Sequence, residues 1–209
     1  MCNLYRMTRS IDEIAHLFDA QPEAGANFAE ELYPGYPGLV VAEGRVRAMT
    51  WGFPLALKGK QGRKLKPKPV TNAREDKLTT PFWRDSFERR RCLVPLSAWA
   101  EAEGETGHMT RSWYALPGGE PFAVAGLWRP SEEWGDCYTL VMVDGHRQMA
   151  EVHDRMPVIL AREDWDCWTQ APARDAFGLC RTWPGDLAVD RTAQRWAGAA
   201  REAMQDRLI

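Results

Sequence analysis

Between Cys92 and Val143 the chain breaks into five short segments, each ended by Gly or Pro turns such as Gly118-Gly119. Cys92–Pro95, Trp99–Ala102, Ser112–Leu116, Phe122–Trp128 and Tyr138–Val143 are rich in β-branched and aromatic residues and read as strands. Strands at this spacing predict a rolled antiparallel sheet or barrel. Leu39–Glu43 and Val46–Trp51 flank a turn at Gly44 and extend the pattern as a hairpin, and Met156–Leu160 adds a further strand. Helical signals are few. Ser10 and Glu13 form a capping box ahead of a helix over Ile11–Ala20, Pro81–Arg91 reads as a short helix, and Met149–His153 as one turn. Arg162–Trp168 and Arg191–Leu208 are also predicted helical. The expected class is therefore α+β: a rolled, mainly antiparallel, barrel-like sheet flanked by short α-helices.

A length of 209 residues suits one hydrophobic core, and no low-complexity linker divides it, so residues 1–209 are expected to form a single domain. Ten tryptophans are more than usual, and most are expected in the core. There is no basic-then-apolar leader and no apolar run of membrane-spanning length, which points to a cytoplasmic protein with no membrane partner. Five cysteines, an odd number with no C-x-x-C pair, argue against a disulfide framework and against a zinc site. A net charge of −2 gives no global attraction to nucleic acid. Locally, however, Lys58, Lys60, Arg63, Lys64, Lys66 and Lys68 follow one another without an acid. Gly59, Gly62, Pro67 and Pro69 mark this basic strip as a loop, either a solvated one or one that contacts phosphates.

Four positions carry chemistry. Removal of Met1 would leave Cys2 with a free α-amine and a thiol two carbons apart, a 1,2-aminothiol. Such a group condenses with an aldehyde to an imine and then closes a thiazolidine ring, so an aldehyde-bearing substrate is indicated. Asn72-Ala73-Arg74-Glu75 combines an amide that donates and accepts with a guanidinium suited to phosphate, although the same run also reads as a turn and helix start. Glu101, between Ala100 and Ala102 in a segment that reads as buried strand, is either salt-bridged or raised in pKa, and the latter suits an acid–base group. His153, at the head of His153-Asp154-Arg155-Met156-Pro157, is a proton shuttle or half of a structural pair with Asp154.

Taken together, Met1-Cys2, Trp51-Gly52, Asn72-Ala73-Arg74-Glu75, Cys92-Leu93-Val94-Pro95 followed by Glu101, Phe122–Trp128 and His153–Leu160 resemble, in order and spacing, the SOS response-associated peptidase (SRAP) family. The resemblance spans about Met1 to Trp168, and the segment from residue 169 to 209 diverges. Members of this family crosslink covalently to abasic sites in single-stranded DNA and remove their own initiator methionine. The resemblance implies that Cys2 supplies amine and thiol to C1′ of the ring-opened deoxyribose. Asn72 would position the amine or the sugar, Glu101 act as acid–base, and His153 protonate the ring oxygen. Arg74 and Arg155 would hold flanking phosphates, while Trp51 and Pro34 would shape the DNA face. The strip around Lys58, Lys60, Arg63 and Lys64 would add charge.

By the same resemblance no cofactor is required, the partner is single-stranded DNA containing abasic sites, and the protein acts as a monomer. Strand scission by β-elimination from the imine is a side activity that the chemistry permits. Two departures stand out. Cys2-Asn3-Leu4 replaces the family's Cys-Gly-Arg, leaving Arg6 or the basic strip to supply the missing cation, and Ala98-Trp99-Ala100-Glu101-Ala102 replaces Gly-Phe-Tyr-Glu-Trp around the acid. The alternatives are a cysteine peptidase using Cys2 and His153, for which no oxyanion site is evident, and a non-covalent module that grips single strands by stacking and charge.

Overall fold

The computed structural model describes residues 2–59 and 63–196. Its centre is a five-stranded ring. Strand Gly135–Asp144 pairs with Phe122–Ser131, that strand with Arg91–Leu96, the next with Pro37–Ala42, and this one with Arg45–Trp51, all antiparallel. Arg45–Trp51 then returns to Gly135–Asp144 in parallel, Thr50 beside Cys137 and Trp51 beside Tyr138, which closes a barrel. Closure removes the open edges that a sheet of this size would otherwise expose. The barrel strands are covered on both faces, with Leu39, Val46 and Leu127 buried on one and Val94 and Leu140 on the other. With few short helices around these sheets, the fold is α+β, mainly antiparallel and barrel-like.

A second sheet runs, in spatial order, Glu31–Leu32, Tyr5–Arg6, Ala98–Glu103, Thr110–Ala115 and Ala188–Arg195. It brings the start of the chain against Glu101's strand: Tyr5 lies opposite Trp99, and Ala100 N–H donates to the Leu4 carbonyl at 2.9 Å. Tyr5 joins the two sheets. Its hydroxyl shares a hydrogen bond with that of Tyr138, and its ring meets Trp51 edge-on at 4.9 Å.

Most sequence-predicted elements form with small changes of boundary. The first helix is capped as expected by Ser10 and Glu13 but covers Ile11–Leu17, because Asp19 adopts φ 49, a left-handed conformation that turns the chain out before Ala20. Pro81–Arg91 reduces to a helix over Arg84–Arg89, and Arg91 already belongs to a barrel strand. Of the ten tryptophans, Trp51, Trp83, Trp99, Trp113 and Trp168 are buried and the other five are half-buried.

Two expectations fail. Among the described residues the basic stretch is mostly strand: Phe53–Lys58 and Lys64–Val70 form a two-stranded antiparallel ribbon, with Leu55 opposite Lys68. An isolated ribbon has only one paired edge per strand, so Pro54, Pro67 and Pro69 can sit where no ladder donor is needed. The ribbon springs from Gly52, whose φ of 118 and contact with Pro69 leave no room for a side chain. The second failure lies near the C-terminus, where Ala188–Arg195 is a strand rather than the start of a helix. Strand Thr110–Ala115 offers an open edge there, and the pairing outweighs the local preference of Ala, Gln and Arg for helix. The rest of the predicted helix, from residue 197 on, lies outside the described residues.

Candidate active site

Cys2 is buried, and its thiol donates to the Leu4 carbonyl at 3.6 Å. The side chain of Asn72 reaches it from a short strand, Asn72–Arg74, that runs parallel to Gly135–Asp144 with Asn72 beside Leu140. Asn72 Nδ2 donates to the Cys2 carbonyl and to Thr71 Oγ1, both at 2.8 Å. Thr71 Oγ1 in turn donates to Asn3 Oδ1 at 3.3 Å. The first residues are thus pinned from two directions, by the ladder to Ala98–Glu103 and by an amide from the barrel side.

Glu101 is 2% exposed. Burial pushes its carboxyl up to about 7, with the charge of Asp154 adding to the rise. Burial also raises the Cys2 thiol well above its ordinary value, and the charge of Glu101 is the next cause, so the two groups share one environment. The influence of Asp154 on Glu101 brings the segment at residues 153–155 to the same region.

That segment is held by Gly145, whose N–H donates to the Asp154 carbonyl at 2.7 Å. A Cβ at Gly145 would stand 2.8 Å from the His153 carbonyl oxygen, so the close approach depends on glycine. His153 is half-buried, and burial lowers its pKa. Its Nδ1 accepts the Arg155 N–H at 3.0 Å, while Asp154 Oδ1 lies 3.3 Å from the same nitrogen. The backbone contact decides the tautomer, because the Asp154 carboxylate is 85% exposed and well solvated. The neutral ring then carries its proton on Nε2.

A groove of ≈ 700 Å³ opens over this region. Asn3, Thr71 and Asn72 line it beside the buried Cys2; Leu55, Lys68 and Pro69 come from the ribbon, and Tyr33 and Pro34 from the loop before the barrel. Trp196 completes the lining from the end of the C-terminal strand. Asn72 and Pro34 are therefore groove residues, as is a lysine of the basic strip, although it is Lys68 rather than those singled out. Arg63 is exposed, and its carbonyl accepts the Gly59 N–H at 2.7 Å. Lys58 and Lys64 occupy facing positions of the ribbon, and Lys60 lies outside the described residues.

Other expected contacts need correction. Trp51 has no exposed surface to offer DNA: it packs between Tyr5 and Tyr138, and its Nε1 donates to the Thr71 carbonyl at 3.2 Å. It supports the groove floor instead. Arg155 is largely buried and paired with Glu75 at 3.2 Å and Asp144 at 2.9 Å, so it braces the segment after His153 rather than standing ready for a phosphate. Arg6 likewise binds Glu31 at 2.7 Å and lies over the Trp113 ring, and does not stand in for the arginine missing after Cys2. Arg74 is half-exposed but already forms two hydrogen bonds to Asp76. Asn3, Thr71, Tyr33 and Trp196 carry no signal in the sequence, whereas Lys68 belongs to the basic strip without having been singled out within it.

Among relatives, Abasic site processing protein YoaM of Bacillus subtilis is 26% identical over 188 residues, covering 80% of this chain and 78% of the relative. Abasic site processing protein YMR114C of Saccharomyces cerevisiae is 28% identical over 128 residues, 59% of this chain and 34% of that protein. A crystal structure of a Bordetella bronchiseptica protein superposes with a TM-score of 0.77 at 22% identity, over 91% of this chain and 99% of the other. One from Bacteroides thetaiotaomicron gives 0.75 at 16% identity, over 91% of each chain, and at these identities the likeness is one of fold. The profile for SOS response associated peptidase (SRAP) matches residues 1–193, well past the point near Trp168 where the motifs fade. The chain belongs to the SRAP family.

Proposed function

We propose that this protein processes abasic sites in DNA, and that it does so by covalent capture of the exposed sugar in single-stranded DNA. The names of the relatives support abasic-site processing as the activity. The capture chemistry rests on one observation above the others: Asn72 Nδ2 holds the carbonyl of Cys2 at 2.8 Å, at the edge of the groove and in the electrostatic reach of a carboxyl whose pKa is about 7.

Removal of Met1 frees the Cys2 amine. An abasic deoxyribose exchanges between a closed hemiacetal and an aldehyde, and opening needs a proton on the ring oxygen. His153, neutral with its proton on Nε2, suits a hydrogen bond to that oxygen, and the proton that the oxygen gains is the one lost from the C1′ hydroxyl as the carbonyl forms. The amine adds to C1′ and gives a carbinolamine. Glu101 takes the proton released by nitrogen and returns it to the departing hydroxyl, which leaves as water. The Cys2 sulfur then adds to the imine carbon, its thiol proton passes to nitrogen, and a thiazolidine closes. The sum is aldehyde plus aminothiol giving thiazolidine plus water. A carboxyl titrating near 7 performs both proton transfers at neutral pH. Attack by nitrogen precedes attack by sulfur because burial keeps the thiol protonated. Ring closure also diverts the imine from β-elimination, favouring a stable adduct over strand scission.

A cysteine peptidase would need a thiolate–imidazolium pair. Burial raises the Cys2 thiol and lowers His153, the opposite of that requirement. The test is a denaturing gel with the processed protein and a single-stranded oligonucleotide carrying one abasic site. A shifted, heat-stable species is expected from wild type and none from Cys2→Ala. An adduct of equal yield from Cys2→Ala overturns the assignment of the nucleophile. Mass spectrometry of Glu101→Ala and His153→Ala shows whether Met1 is removed by the same residues.

A further inference from the structure

We propose that Trp196 stacks on a base flanking the abasic nucleotide, so that the residue ending the C-terminal strand, just past the family's matched region, supplies a wall of the DNA groove. The proposal deepens the reading of the groove as a single-strand site and rests on it. The family match ends at residue 193, and Trp196 stands past that end.

Strand Ala188–Arg195 pairs with Thr110–Ala115, and its register runs from Ala188 opposite Ala115 to Arg195 opposite Thr110. The Trp196 N–H then donates to the Met109 carbonyl at 2.9 Å, which fixes the residue where the strand ends. Its indole packs with Tyr33 on the small buried cluster of Leu4, Ala100 and Trp113. Trp196 is half-buried and lines the groove together with Asn3 and Asn72. It is thus anchored by neighbours while part of its surface faces the groove that Asn3 and Asn72 also line.

Tyr33, the other aromatic of this lining, is committed elsewhere: its hydroxyl donates to Glu31 at 3.1 Å and accepts from Arg111 at 3.2 Å. An immobilised indole beside an exposed lysine, Lys68, offers the two things a single strand needs, a platform for a base and a cation for its phosphate. An abasic nucleotide has no base of its own, so such a platform can serve only its neighbours.

The test uses the processed full chain and fluorescence anisotropy with single strands containing tetrahydrofuran, an abasic analogue that lacks the aldehyde and cannot crosslink. One oligonucleotide carries a single analogue between adenines, and the other consists of analogues throughout, so that no flanking base is present in any register. Trp196→Ala should weaken binding of the first about tenfold and leave binding of the second unchanged. Trp196→Phe should restore most of the loss. Equal affinity of Trp196→Ala and wild type for the adenine-flanked strand overturns the proposal, as does an equal loss on both strands, which would mark a merely structural role. If wild type binds neither strand, the proposal also fails. A Trp196-dependent preference for flanking bases in a protein that forms no adduct with a true abasic site would sustain the groove wall while rejecting covalent capture.

Discussion

The floor and the walls of the groove are built in opposite ways. Asn72 and Thr71 on the floor, and Glu101 within electrostatic reach of Cys2, are buried, and Asn72 and Thr71 are tied by hydrogen bonds to the first residues of the chain. Leu55 and Lys68 on the wall are exposed and belong to a two-stranded ribbon outside the barrel. A buried polar group is costly to leave unpaired, so the floor tolerates little change, whereas the wall gives contact area and charge that can be traded one residue at a time. The floor should therefore control rate and the walls affinity, and substitutions on the two should separate cleanly.

The sharpest test of that division is at the nucleophile. Cys2→Ala should abolish the stable adduct altogether while binding of a tetrahydrofuran-containing strand stays within about twofold, because Cys2 has no exposed surface with which to grip DNA. A large loss of binding would break the division. Next comes the acid–base group. Glu101→Gln should slow crosslinking about a hundredfold and remove an inflection near pH 7 from the rate profile.

The same substitution carries a stability signature with a definite sign. The folded carboxyl holds its proton up to about pH 7, against an ordinary 4.5. The folded state therefore binds more protons than the unfolded chain between those values, and stability falls as pH rises through them. The penalty is absent below about pH 4.5, complete above about pH 7, and amounts to about 3 kcal/mol. Thermal unfolding at pH 8.5 should accordingly show Glu101→Gln more stable than wild type, with the gain vanishing at pH 4. A variant less stable than wild type at pH 8.5 would mean that the charged carboxylate is compensated by its surroundings.

The contrast between floor and walls also marks what the sequence revealed. The reactive groups were legible because their chemistry demands unusual residues: a cysteine at the second position, a carboxylate among alanines, a histidine heading an apolar strand. Barrel strands were legible for a similar reason, since alternation and Gly or Pro turns are local properties. The walls were not, because their placement is decided by pairing over long sequence distances. The prolines of Lys64–Val70 signal a loop unless one knows that the ribbon leaves them unpaired edges. Ala188–Arg195 becomes a strand only because Thr110–Ala115 has an edge to fill. Trp51 failed in the other direction. Its motif was informative, but its indole serves Thr71 and the packing of Tyr5 and Tyr138 rather than the ligand.

A smaller effect on the floor is expected at Asn72. Asn72→Asp keeps the size but replaces a donor to the Cys2 carbonyl by an acceptor, which should slow adduct formation roughly tenfold with little change in binding. Pre-steady-state crosslinking at saturating DNA reads this directly, and a change confined to affinity would move Asn72 from the floor's category to the walls'.

The smallest effects belong to the cations, and they distinguish free charge from charge already spent inside the protein. Lys68 is exposed and lines the groove, whereas Arg155 is paired with Glu75 and Asp144, and Arg74 with Asp76. Each phosphate contact adds about 0.7 to the slope of log affinity against log salt for single strands. Lys68→Ala should lower that slope by roughly this amount and weaken binding a few-fold, equally for strands with and without flanking bases. Arg74→Ala should leave the slope nearly unchanged, since its guanidinium enters the complex already neutralised by a carboxylate. If Arg74→Ala lowers the slope as much as Lys68→Ala does, Arg74 must exchange Asp76 for a phosphate on binding. The groove would then extend past Asn72 along the strand it begins.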